Sequence, residues 1–188
     1  RWITAELAAA GLVVTSGLAL GVDGCAHQAA LDAGGPTVAV LGSGVDRVYP
    51  QRHRALAAAV VRRGVLVSEF APGTPPLPEH FPRRNRIISG LALGVVVVAA
   101  GERSGSMITA RLAAAQGREV FALPSSARDR GAAGCHRLIR EGAVLVRDAS
   151  DVLDELGLEL APREAAPRDA LPLPPELEQV LAALDAHG

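Results

Sequence analysis

Lysine is missing from this chain of 188 residues; all 19 of its basic residues are arginine. That absence removes Schiff-base chemistry and the lysine of a nucleotide-binding P-loop. It leaves another tool for phosphate, the planar guanidinium fork. Aromatics are scarce, at 3% of the residues. The two cysteines, Cys25 and Cys135, have no CxxC or Cys/His spacing. They fit a reducing cytoplasm better than a disulfide framework or a zinc knuckle. The five histidines are dispersed, so neither a metal nor a cofactor is expected. The patterns GxGxxG after a strand, GxxxxGK[ST] and HExxH do not occur. The longest uncharged run, Ile87–Gly101, has 15 residues and is interrupted by Ser89, Gly90 and Gly94. A bilayer needs about 20 apolar residues, so no membrane span is expected, and no signal-peptide pattern is visible.

What is present is an uneven charge. The net charge is −1, but residues 1–147 hold 17 Arg against 10 Asp and Glu, while residues 148–188 hold 2 Arg against 10. A basic body is joined to an acidic tail, and the body is the part suited to a polyanion. With 49% hydrophobic residues the chain is large enough for one globular domain and an appendage.

Short apolar runs alternate with helical patterns. Val13–Ser16, Thr37–Leu41, Val65–Glu69, Val95–Ala99, Val120–Leu123 and Ala143–Val146 read as strands buried on both faces. Asp23–Ala33, Arg52–Arg63, Arg84–Ala92, Ile108–Gln116 and Cys135–Glu141 read as helices. Asp23 is a candidate N-cap, and Gly34, Gly64, Gly117 and Gly142 sit where helices would stop. The pattern predicts an α/β fold: a Rossmann-like, doubly wound, mostly parallel sheet with helices on both faces. Ligands of such sheets bind outside the C-terminal ends of the strands. The expected division is a Rossmann-like body over residues 1–156, a proline-rich linker over 157–174 and an amphipathic helix from 175 to 188 that opens a second small domain.

Three Gly/Ser turns follow predicted strands: Ser16-Gly17, Gly42-Ser43-Gly44 and Arg103-Ser104-Gly105-Ser106, the last opening the helix of Thr109. Glycine admits a phosphate close to the backbone, and a helix start offers free N–H groups. Each turn taken singly also satisfies ordinary strand-to-helix sterics. Phe81-Pro82-Arg83-Arg84-Asn85-Arg86 adds three Arg and an Asn at a predicted helix start. Cations are unfavourable at that end of the dipole, which points to an anionic ligand among them. The competing reading pairs some of these Arg with Glu69, Glu79 or Glu102. Phe81 serves either to stack on a base or to anchor the core.

In order, SGLALGVDGCAH, AVLGSGVDRVYP, SEFAPGTPP, FPRRNRIISGL, ERSGSMITA, QGREVFALP and GCHRLIREGA resemble the DNA-processing protein A family, also called Smf, over residues 1–156. The resemblance implies a single-stranded DNA binder of natural transformation, without sequence preference, that protects the incoming strand and helps load RecA recombinase. It also implies a homodimer, no enzymatic activity and a C-terminal winged-helix-like domain. The strand and turn that open the family's domain are expected before Arg1. The implied DNA-binding residues are Gly42, Ser43, Gly44, Phe81, Arg83, Arg84, Asn85, Arg86, Arg103, Ser104, Gly105, Ser106 and Thr109. The chain departs from the family pattern at Leu20, usually basic, at Ser125, usually Gly, and at His136, usually Asn. The alternative is a nucleotide-binding enzyme such as a nucleoside-monophosphate phosphoribohydrolase. It would need a catalytic carboxylate from Asp46, Glu69 or Glu102, and the PGGxGTxxE pattern of such enzymes is absent.

Overall fold

Val, Ile and Thr pack well on a pleated surface, and each predicted apolar run contributes to a strand. The computed structural model of the chain describes residues 1–158, which group into two units, Arg1–His80 and a second from Phe81 onward. The first unit holds α1 (Trp2–Ala9), β1 (Val14–Ser16), α2 (Val22–Asp32), β2 (Thr37–Val40), a 3₁₀ turn (Gln51–His53), α3 (Arg54–Arg63) and β3 (Val65–Val67). Helix α4 (His80–Leu91) begins on the last residue of that unit. The second unit continues with β4 (Gly94–Val97), α5 (Gly105–Ala115), β5 (Glu119–Ala122), a 3₁₀ turn (Arg130–Ala132), α6 (Ala133–Arg140), β6 (Val144–Leu145) and α7 (Ala149–Glu155).

All six strands pair in parallel. Within the two units they form three-stranded sheets, ordered β1-β2-β3 and β4-β5-β6. Helices lie on both sides, so the α/β class holds. Burial on both faces holds for the central strand β2, whereas β1 is only half-buried and β3 is exposed at Val65. Each sheet has its own core: Leu18, Leu31, Leu41, Val60 and Leu66 in the first unit, and Val97, Met107, Ala122, Cys135 and Leu138 in the second. Burial pushes the Cys135 thiol up, and its Sγ lies 3.6 Å from the Val97 carbonyl, so it behaves as a small core hydrophobe.

Three of the four glycine stops, Gly34, Gly117 and Gly142, adopt the left-handed backbone that ends a helix. Gly64 is different. Its backbone is extended, and a Cβ there would collide with the Thr37 carbonyl, so close approach is the reason for glycine. Asp23 is not the N-cap. Gly21 occupies that position, and the Asp23 carboxylate reaches back to accept the Gly17 and Ala19 amides, both at 3.2 Å. Those bonds shape a loop in which the buried Leu18 takes φ 59, an uncommon value for a branched side chain. His53 Nδ1–H donates to the Leu18 carbonyl at 2.8 Å. His27 is fully buried and donates from Nδ1 to Thr37 Oγ1, since the Thr37 hydroxyl proton is already on the Val14 carbonyl. Apart from Gly157 and Leu158, the expected linker and terminal helix lie outside the described residues.

Candidate nucleic-acid interface

Helix α4 starts at His80, four residues before the sequence reading placed it. Pro82 suggested a break, but it is the third helical residue, where no N–H is needed. Arg83 is therefore the fourth residue of the helix, and Arg84 and Arg86 belong to its second turn. The helix dipole therefore bears little on Arg84 and Arg86, because its field fades within the first turn. The cluster also divides in two. Arg83 and Arg86 are exposed, while Arg84 and Asn85 are buried. Arg84 Nε donates to Asn85 Oδ1 at 3.0 Å, and its guanidinium lies 5.7 Å from the centroid of the Phe81 ring. Arg84 thus helps to build the helix start that presents Arg83 and Arg86.

Helix α5 starts at Gly105, earlier than the predicted Ile108. Ser104 is its N-cap, and the Ser104 hydroxyl oxygen accepts the Ser106 amide at 3.2 Å. Arg103 stands exposed just before the cap, and Thr109 is half-buried one turn inside. Gly105 is exposed, its φ is not left-handed, and a Cβ there would meet nothing within 4 Å. Neither conformation nor packing within the described residues explains a glycine at that position.

Two residues connect α4 to β4 and three connect α5 to β5, and these two strands are parallel. Both helices therefore run against the strands, with both N-termini at the edge where the strands end. Two residues missed in the sequence tie α4 down. Gln116 Nε2 donates to the Arg86 carbonyl at 3.1 Å, and Arg118 donates to the Gly90 carbonyl at 3.2 Å. Their signal was present in the QGRE segment but carried no role until α4 had a position. Gly134 holds the loop before α5. Its amide donates to the Ala100 carbonyl at 2.7 Å, and a Cβ would stand 2.7 Å from that oxygen.

In the first unit, Gly42, Ser43 and Gly44 follow β2 but are buried. Ser43 Oγ donates to the Arg47 carbonyl at 2.6 Å, and the Gly44 amide donates to the Thr74 carbonyl at 3.0 Å. Ser68 Oγ donates to the Ser43 carbonyl at 2.6 Å. The turn is thus internally bonded, and a Cβ on Gly44 would crowd the Ala71 carbonyl at 2.7 Å. The Asp46 carboxylate accepts the Gly73 amide at 2.8 and 2.9 Å. His80 was also passed over in the sequence. It is buried, stacks on Phe70 at 4.0 Å and donates from Nδ1 to the Gly42 carbonyl at 3.1 Å. Among the described residues no helix is long and apolar enough to cross a membrane, and no group of three or more His, Cys, Asp or Glu is placed to hold a metal.

Residues 1–157 match the profile of the DNA recombination-mediator protein A family. The chain belongs to that family. Protein Smf of Escherichia coli K12 is 49% identical to this family member over 182 residues, which is 96% of this chain and 49% of that protein. DNA processing protein DprA of Streptococcus pneumoniae R6 is 51% identical over 144 residues, 77% of this chain and 51% of that one. The chain spans about half the length of these curated relatives. The X-ray structure of the Streptococcus pneumoniae protein superposes with a TM-score of 0.77 at 46% identity, covering 85% of this chain and 56% of that one. A structure of DNA processing protein A from Helicobacter pylori, concerned with the single-stranded DNA binding mode of that protein, gives 0.74 at 30% identity. It covers 82% of this chain and 70% of that one.

Proposed function

We propose that this recombination-mediator family member binds single-stranded DNA through its phosphates, without sequence preference. In this reading it protects an incoming strand during transformation, helps load RecA recombinase onto it and acts as a homodimer in the cytoplasm. The binding residues are Arg83, Arg86, Arg103, Ser104, Gly105, Ser106 and Thr109, supported by Phe81, Arg84 and Asn85. In the first unit, described by itself, Gly42, Ser43 and Gly44 are a separate proposed backbone contact, with the Ser43 hydroxyl already given to the Arg47 carbonyl. The observation that carries the reading is the start of α5. A glycine that neither backbone conformation nor packing explains follows an exposed arginine and a capped helix start, at the edge where strands end. Arginine, serine and amide N–H groups bind phosphate, and an always-protonated guanidinium is no general base. The binding reading is also favoured over catalysis because the Asp46 carboxylate is engaged by the Gly73 amide.

The test is titration of labelled single- and double-stranded oligonucleotides at two salt concentrations. Arg83→Ala/Arg86→Ala is the variant of choice, because both side chains are exposed and the buried Arg84 stays in place. Single-strand affinity should fall roughly 10- to 100-fold, with a shallower salt dependence as fewer counterions are released. Wild-type affinity in the double variant at moderate salt would contradict the proposal.

A further inference from the structure

We infer that the loop between β5 and α6 is a further phosphate-contact surface, carrying a nucleic-acid strand from the start of α5 onto Arg128 and Arg130. This inference rests on the strand-binding reading above. Arg103, Arg128 and Arg130 are all exposed, and none makes an ion pair or a side-chain hydrogen bond among the described residues. They occupy loops that follow successive parallel strands, so they share the edge where strands end. The two loops are adjacent. The Arg130 carbonyl lies 3.9 Å from the position a Cβ on Gly101 would take, and Gly101 is two residues before Arg103.

The loop is held in shape by its own acid. The Asp129 carboxylate accepts the Ser125 hydroxyl at 2.9 Å and the Gly131 amide at 2.8 Å, so the one carboxylate in the loop is occupied by neutral donors. His136 Nε2–H, from α6, donates to the Ser125 carbonyl at 3.0 Å. Ser125 and His136, eleven residues apart, thus meet across the loop. Glu102 is the opposing charge nearest in sequence to Arg103, and it makes no ion pair among the described residues. Three guanidinium groups against Glu102 and Asp129 leave the edge net cationic, at +1. Guanidinium groups on a preformed loop suit a chain of phosphates more than a single compact anion.

The experiment compares the full chain with Arg128→Ala/Arg130→Ala, using fluorescence anisotropy with thymidine oligonucleotides of about 6 and about 20 nucleotides. Both proteins should bind the short probe alike. On the long probe the variant should bind about tenfold more weakly, and the slope of log K against log salt should shrink by roughly 1.4, two single-strand phosphates' worth. Charge reversal, Arg128→Glu/Arg130→Glu, should deepen the loss while the thermal melt stays at the wild-type value. Equal long-probe affinity and equal salt slope in both variants would overturn the inference, with the strand-binding reading intact if Arg83→Ala/Arg86→Ala still loses affinity. A wild-type chain that binds neither probe overturns the strand-binding reading itself.

Discussion

Gly105 and Gly134 stand at the two ends of one structural question, whether a glycine serves the fold or something outside it. At Gly134 a methyl group would meet the Ala100 and Gly101 carbonyls at 2.7 and 2.9 Å, both backbone atoms that cannot swing aside. Gly134→Ala should cost about 1–3 kcal/mol, the range for overpacking, read as a lower thermal midpoint. At Gly105 the same methyl meets nothing within 4 Å. Gly105→Ala should leave stability unchanged or raise it by up to about 1 kcal/mol, since alanine loses less backbone freedom in a helix. Its effect should fall on single-strand binding, about tenfold weaker, the equivalent of one hydrogen bond to a charged group. A melt and a titration of each variant check the pair, and loss of stability in Gly105→Ala would return that glycine to the fold.

Helix starts govern the next scale. Where α4 begins decides whether its arginines strain the dipole or merely follow it, and the observed start leaves Arg83 at the end of the first turn and moves Arg84 and Arg86 into the second. Helix α7 shows the opposite arrangement. Asp148 caps it, accepting the Asp151 amide at 3.1 Å, and Arg147 grips the Asp151 carboxylate with Nε at 3.0 Å and Nη2 at 2.8 Å. The Arg147 side chain and backbone amide together lower Asp151 from 3.8 to about 2. A carboxylate lowered in the folded state adds stability that is fully present above its unfolded pKa and is lost as pH falls towards 2. Amide exchange protection in α7 should therefore begin to fall near pH 3.8 and lose this contribution by about pH 2. In Arg147→Ala the decline should move to higher pH. An unchanged midpoint would remove the arginine fork from the account.

Charge is distributed on the scale of the whole molecule. Residues 159–188 hold 2 Arg against 6 Asp and Glu, so a chain ending at residue 158 changes from a net −1 to +3. Such a chain should bind a single strand several-fold more tightly at low salt and alike at high salt, since screening removes long-range repulsion. Titrations of both lengths at two salt concentrations decide it, and equal affinities at low salt would free the acidic tail of any influence on binding.

The alternation of apolar runs with helical stretches determined the α/β class, because burial and period are local properties written residue by residue. The motifs FPRRNRII and ERSGS likewise marked α4 and α5, though the start of α4 was misplaced by a proline that the first turn tolerates. The glycine stops were legible for the same local reason. Only the tertiary structure decided which strands pair, because hydrogen-bond partners depend on segments distant in the chain. It also separated the arginines into the exposed Arg83 and Arg86 and the buried Arg84, and turned Ser43 from an apparent phosphate ligand into a turn-holding donor to Arg47. Adjacent residues in one motif look alike in sequence. On a helix they point in different directions, and only the packing around each direction determines which of them stays exposed.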